Sequence, residues 1–406
     1  MSGRYGAFSW TVTARDPATR ARAGRIGTPH GEVETPNFVL CATRGALKAA
    51  TMAEARALGA QIVLGNTYHL MLAPGAERVA RLGGLHRMTG WRGPMLTDSG
   101  GFQIFSMGHG GVAAEVKGNR SGAPEATLLA IEERGATFRS YIDGSVRELT
   151  PEGSMQVQAA LGADLVVVLD ECTPFHATRD YVARALERTF RWSRRCLAAF
   201  DAAGGAGTAG PQAVVGIAGG HVHEDLRRAA ADFVNGEDLF AHAIGDSLGG
   251  TREEMHAVVA FQAPLLREDR PIHLLGIGQV ADIWHGVAQG IDTFDCVHPT
   301  RIARHGGALV RDGGEDGASG RDHLNLRNAR FRDDPRPIEE GCDCPACAGG
   351  HSRAYLHHLV KTGELLGLWL ITQHNIRFMM RLMAEVRAAV AAGRVREAAA
   401  CWGVRV

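Results

Sequence analysis

LVVVLDECTP, residues 165–174, is an apolar run that stops at an acid and then turns. The stretch around it, GADLVVVLDECTPFHATRDYVARALERTFRWSRRCLAAF (162–200), reads as a strand over Asp164–Leu169, a Pro-containing turn and a helix over Asp180–Ala203. A short apolar run bounded by turn residues fits a strand covered on both faces. A strand followed by a helix is the repeating half of a parallel sheet, because parallel neighbours need a crossover between them.

The same unit recurs in both directions along the chain. Further strands are expected at Asn37–Cys41, Gln61–Leu64, Pro94–Thr97, Thr137–Ile142, Ala213–Ile217, Ala241–Ile244, Ile272–Leu275 and Thr293–Phe294, with helices at Thr51–Leu58, Pro151–Leu161 and Val280–Gln289 among them. Alternation of this kind over roughly 250 residues favours a closed TIM (β/α)8 barrel, while an open doubly wound sheet stays possible from the pattern alone. Residues 107–128 are Gly-rich and lack periodicity, which reads as a loop or small insertion near 107–130; residues 203–212 read as a surface connection. From about residue 342 the pattern becomes a cysteine knuckle and two helical stretches, Ser352–Leu366 and His374–Ala392. The expected division is a catalytic barrel over 1–335 and a small α-helical, zinc-binding subdomain over 336–406.

Composition narrows the class. The 406 residues are 45% hydrophobic, enough for one large domain with an appendage. Lys+Arg and Asp+Glu are both 44, so any nucleic-acid site has to be a local basic patch, not a whole-chain field. No apolar run reaches membrane-spanning length and the N-terminus lacks an apolar signal core, so a cytoplasmic protein with no membrane partner is expected. The eight cysteines are scattered except for three at 342, 344 and 347. That spread does not form a disulfide framework; the packed three read as metal ligands in a reducing compartment.

Three acids follow apolar runs directly: Asp98 after PMLT, Asp170 after LVVVL and Asp295 after IDTF. In a barrel those positions open onto one mouth. A helix-capping role is the alternative for any one of them. Gly219–Gly220, Gly245 and Gly276–Gly278 stand at matching places, where a flat ligand could approach the backbone. Two carboxylates can exchange one glycosidic base for another with retention, one attacking the anomeric carbon and the other moving the proton. Other two-acid chemistry fits the same residues.

Several long motifs in one order carry a resemblance: VLGNTYHL (63–70), LTDSGGFQ (96–103), LDECTP (169–174), GIDTFDCVHPTR (290–301) and the CDCPAC…HN knuckle. Together they resemble bacterial tRNA-guanine transglycosylases, from about residue 8 to residue 395. The resemblance implies a ribosyl (pentosyl) transferase of queuosine biosynthesis that exchanges guanine at the wobble position of tRNA for a 7-deazaguanine, either 7-aminomethyl-7-deazaguanine or queuine. It implies Asp295 as the nucleophile on C1′ and Asp98 as general acid/base. It places Ser99 and Phe102 at the base, with Phe102 stacking, and gives Asp170 the amidine-like edge of the base. Gly276, Gly278 and Asp282, with Thr300, Arg301 and Arg304, match stretches that contact RNA, and the two arginines suit phosphate; a solvated basic turn is the alternative for them. Asn66 and Tyr68 either line the mouth or hydrogen-bond internally.

The chain departs from the family pattern in the base pocket. A GIQQG-type loop is replaced by GIAGG (216–220), so Ala218 and Gly219 stand where the family has Gln. A GGL loop is replaced by Gly245-Asp246-Ser247, and Asp246 either meets a cationic amine of the incoming base or points to solvent. The knuckle offers Cys342, Cys344, Cys347 and His374, a complete tetrahedral set for a structural Zn2+, with His351 as a fallback ligand. Tyr355 and His358 fall in the family's subunit-contact region, which implies a homodimer. Two rival readings remain: a non-catalytic tRNA-binding subunit of the same fold, which would lack the acid pair, and a related base-exchange enzyme acting on DNA.

Overall fold

The structure is a computed structural model and describes residues 3–108, 127–311 and 322–406. Eight parallel strands close into a barrel in chain order: β1 (Asn37–Cys41), β2 (Val63–Gly65), β3 (Met95–Thr97), β4 (Leu165–Val167), β5 (Ala213–Ala218), β6 (Ala241–Ile244), β7 (Ile272–Leu274) and β8 (Thr293–Cys296), with β8 pairing back onto β1. Nearly every strand residue is buried, because side chains fill the interior and crossover helices cover the outside. Val39, Leu96, Leu165 and Val215 meet inside the lower end, where Ile26 enters from below.

The helices start where their sequences provide caps. Thr178 caps Arg179–Ala202, Thr150 caps Pro151–Leu161, and Thr51/Glu54 and Thr251/Glu254 form reciprocal capping boxes. The bottom of the barrel is cross-linked by charge. Arg22 donates to both oxygens of Asp292, at 2.9 and 2.6 Å, with both side chains almost fully buried. Asp292 also takes the Ile272 amide, so the pair is hydrogen-bonded as well as neutralised.

Three sequence expectations change. Thr137–Ile142 is not a barrel strand: Ala136–Arg139 is the centre of a three-stranded antiparallel sheet with Leu128–Ile131 and Val146–Leu149, inserted after β3. Most of the insertion expected near 107–130 lies outside the described residues. The N-terminal antiparallel sheet Ser9–Arg15, Arg22–Thr28, Gly31–Thr35 went unread, since its first strand alternates between exposed and half-buried residues of low apolarity. Finally, Arg353–Thr362 ends at Gly363, whose positive φ closes the helix, and a new helix runs unbroken over Leu365–Ala391, so His374 sits within a long helix. Among the described residues no helix is long and apolar enough to cross a membrane.

Candidate active site and metal centre

The upper mouth gathers the acids. Asp295 lies in β8, with β1 and β2 between it and the end of β3, where Asp98 follows Thr97. Asp295 Oδ1 accepts from His273 Nε2 at 3.1 Å and from the Gly276 amide at 3.0 Å. His273 comes from β7 and turns its Nδ1 to Thr293 Oγ1 at 2.8 Å, which fixes the ring with Nε2 toward the carboxylate. On Oδ2 the only hydrogen bond among the described residues is from the Cys41 thiol, a weak donor at 3.6 Å. Burial first, then the neighbouring Asp295 charge, pushes that thiol well above its usual range, so it remains a proton donor. Oδ1 is therefore anchored and Oδ2 is the oxygen left for chemistry.

Asp98 is held differently. The Thr67 amide donates to Oδ1 at 2.8 Å, Gln103 Nε2 donates to Oδ2 at 3.1 Å, and Asn66 Nδ2 also bonds Oδ2. Asn66 doubles as the cap of helix Thr67–Leu72, whereas Tyr68 is buried against Phe138. Burial pushes Asp98 up to about 7, with the Thr67 bond opposing and the Asp295 charge reinforcing the shift. An acid there gives and takes a proton at neutral pH.

Asp170, just beyond β4, is 7% exposed, and its carboxylate has no side-chain hydrogen-bond partner among the described residues. Burial, followed by the charge of Asp246, pushes it up to about 7 as well. Phe102, 49% exposed on Gly101–Gly108, presents an uncovered ring. Ser99 instead closes a turn, its hydroxyl accepting from the Gly101 amide at 3.2 Å. The rim is tied across by Tyr141 of the inserted sheet, which meets His69 at 2.8 Å and Arg44 at 3.0 Å.

Several expected ligand contacts are occupied otherwise. Asp246, partly exposed, does not stand free for an amine: its oxygens accept from the Thr173 amide and hydroxyl and from the Gly220 and His221 amides, at 2.7–3.1 Å. Asp282 is buried between two outer helices with Arg252 and His256, at 3.1 and 3.0 Å. Thr300 is buried, and its hydroxyl returns to the Val297 carbonyl. Gly276 spends its amide on Asp295, Gly278 allows the loop to lie against Cys296 and Phe38, and Gly245 packs between Ile217 and Leu275. Arg301 and Arg304 are exposed at the rim beside β8, with no carboxylate partner among the described residues. His273, Cys41, Thr67 and Gln103 escaped the sequence reading; the one available signal was a histidine inside the apolar run PIHLL.

Cys342, Cys344, Cys347 and His374 converge, and His374 Nδ1 lies 3.7, 3.4 and 3.5 Å from the three sulfurs. Tetrahedral zinc with bonds of about 2.3 Å to sulfur and about 2.0–2.1 Å to nitrogen separates such atoms by about 3.6 Å. The measured edges bracket that value, so the set could hold a metal. His374 Nε2 is fixed on the Leu309 carbonyl at 2.7 Å, the outer contact expected of a ligating imidazole. His351 stacks on Tyr355, apart from the cluster. A second group, His30, His86 and Asp164, does not suit one ion: its imidazoles are stacked 3.7 Å apart and 12° from parallel, so their in-plane lone pairs cannot meet.

Comparison with known proteins gives a consistent picture. Residues 16–402 match the family model described as queuine tRNA-ribosyltransferase. The chain is similar to the queuine tRNA-ribosyltransferase of Roseiflexus sp. (strain RS-1), at 48% identity over 97% of this chain and 99% of the relative. Those of Symbiobacterium thermophilum and Thermus thermophilus are each 45% identical, over 96% and 95% of this chain and 90% and 91% of theirs.

Proposed function

Because the chain belongs to the queuine tRNA-ribosyltransferase family, we propose that it is a tRNA-guanine transglycosylase that exchanges guanine at the wobble position of tRNA for a 7-deazaguanine by double displacement. Asp295 Oδ2 attacks C1′ of the ribose, the bond to the guanine nitrogen breaks, and a covalent tRNA–enzyme ester forms. Asp98 donates a proton to the departing base. It then takes the corresponding proton from the incoming base, whose nitrogen attacks C1′ and releases Asp295. Two inversions retain configuration.

The observation that carries this reading is the pairing at one mouth of a carboxylate anchored through one oxygen, its other oxygen met by a weak thiol donor, with a buried acid near neutrality. The exposed Phe102 ring offers the stacking surface, and Asp170 meets the paired N–H donors on the polar edge of the base. Arg301 and Arg304 take the tRNA backbone, in keeping with their exposed guanidinium groups.

The sulfur–nitrogen edges, and a donor set that leaves no fourth position for water, support a structural Zn2+ in the Cys3His set. A division near residue 335, with the metal-held subdomain at 336–406, fits the change in pattern there. Tyr355 and Leu365, 39% and 78% exposed on the metal-held part, together with the neighbouring His358, favour a homodimer face. The cytoplasm is the proposed location, where tRNA and reduced thiols occur together.

The test is a trapped adduct. Denaturing gels of enzyme mixed with tRNA and guanine should show a covalent RNA band with the wild type. Asp295→Ala should give neither band nor guanine exchange, with an unchanged melting temperature. Exchange by Asp295→Ala would remove the mechanism.

A further inference from the structure

The reaction as described leaves Asp246 without a task, yet it is among the most heavily bonded side chains at the mouth. Its backbone has φ of 65°, a left-handed conformation that asparagine and aspartate tolerate better than other side chains. One oxygen takes both donors of Thr173 from the loop after β4, and the other takes the Gly220 and His221 amides from the loop after β5. Buried Arg227 donates to the carbonyls of Ala218 at the end of β5 and His221 in the loop after it, and of Gly245 and Ser247 in the loop after β6. Three loops are thus fixed together by one carboxylate and one guanidinium.

The position facing Asp246 is Gly219. A Cβ built there would lie 3.2 Å from Asp246 Cβ and 3.4 Å from its Oδ2, inside comfortable carbon–carbon separation. A side chain at 219 therefore requires Asp246, which four hydrogen bonds hold in place, to give by a few tenths of an ångström. Both residues line one small cavity with Asp170.

We propose that Gly219 and Asp246 form a single specificity element of the base pocket: the carboxylate takes the space that a side chain at 219 would fill, locks the loops after β4 and β5, and leaves Asp170 as the side chain that reads the base edge. Asp246 is a positioning residue here, acting through Thr173 and the 219–221 backbone. This rests on the transglycosylase reading given above. Its charge also bears on Asp170, which faces Asp246, Glu171 and Asp98, while Asp246 itself is faced by Arg227 and His221. Below about pH 7 Asp170 is increasingly protonated and a poorer acceptor for a guanine-like edge.

The experiment is a mutant cycle on the full chain: Gly219→Gln, Asp246→Gly, the double variant and Asp246→Asn. Guanine exchange into tRNA bearing a wobble guanine and melting temperatures are measured for each. Each single change of the cycle should lower kcat/KM for guanine by about tenfold or more, the loss of at least one hydrogen bond to a charged group. The double variant should recover to within about threefold of wild type, because coupled neighbours are not additive. Asp246→Asn should move the acid limb of the KM–pH profile to lower pH, since a neutral neighbour lets Asp170 ionise earlier. Losses that multiply in the double variant, or an Asp246→Asn profile that coincides with wild type, would overturn the pair. A wild type without exchange ends the transglycosylase reading instead, and the pair is then decided by whether the two singles add in melting temperature.

Discussion

Asp170→Asn should make the free protein more stable at alkaline pH and useless to the base. Asp170 is 7% exposed, and its carboxyl is pushed from 3.8 to about 7, first by burial and then by Asp246. The folded state therefore binds a proton that the unfolded chain has already released, and stability from this group is full below pH 4 and lost as pH rises through 7. About three units at about 1.36 kcal/mol each set a ceiling near 4 kcal/mol on that loss. Asparagine has the same shape, carries no charge, and gives up no side-chain hydrogen bond among the described residues. For a chain of this length, 1–4 kcal/mol corresponds to roughly 1–5 °C in melting temperature. Melting curves of the two proteins should converge at or below pH 4 and separate progressively up to pH 8.5, with the variant higher. Guanine binding by calorimetry at pH 8.5 should meanwhile vanish. Parallel pH dependences of the two melting temperatures would refute the reasoning, because the buried charge would then carry no folding penalty.

Three further outcomes are expected. His273→Phe removes one of two donors on Asp295 Oδ1 and should lower kcat about 10- to 100-fold, in line with one hydrogen bond to a charged group, while KM for guanine holds; unchanged kcat in stopped-time exchange assays would exclude the anchoring role. Arg301→Ala and Arg304→Ala should each weaken tRNA binding and flatten the plot of log affinity against log salt by about one unit, and an unaltered slope would leave those arginines as solvated charges. Cys344→Ala should lower both metal content by elemental analysis and melting temperature, whereas a metal-free variant melting with wild type would exclude a structural ion.

Much of the barrel was legible because it repeats one local pattern. Asn37–Cys41 and Ala241–Ile244 were bounded as they are found, since apolar runs between turn residues report burial on both faces. The same rule misassigned Thr137–Ile142, because a short β-rich run does not say which sheet it joins. It also passed over Ser9–Arg15, whose pairing with Arg22–Thr28 owes little to apolar burial. The acids were legible by position, and so was the Cys3His cluster that could hold a metal.

Their partners were not. By itself, the sequence determined most of the alternating strands and helices of the barrel, the end of it where Asp98, Asp170 and Asp295 emerge, and a Cys3His donor set. Only the tertiary structure decided that Oδ1 of Asp295 is anchored while Oδ2 is left for chemistry, that Asp246 clamps loops, and that Asp282 and Thr300 are buried. The reason is that hydrophobic periodicity is a local property of neighbouring residues. The state of a carboxylate is set instead by donors and charges that the fold brings from distant positions, as His273 and Cys41 are brought to Asp295.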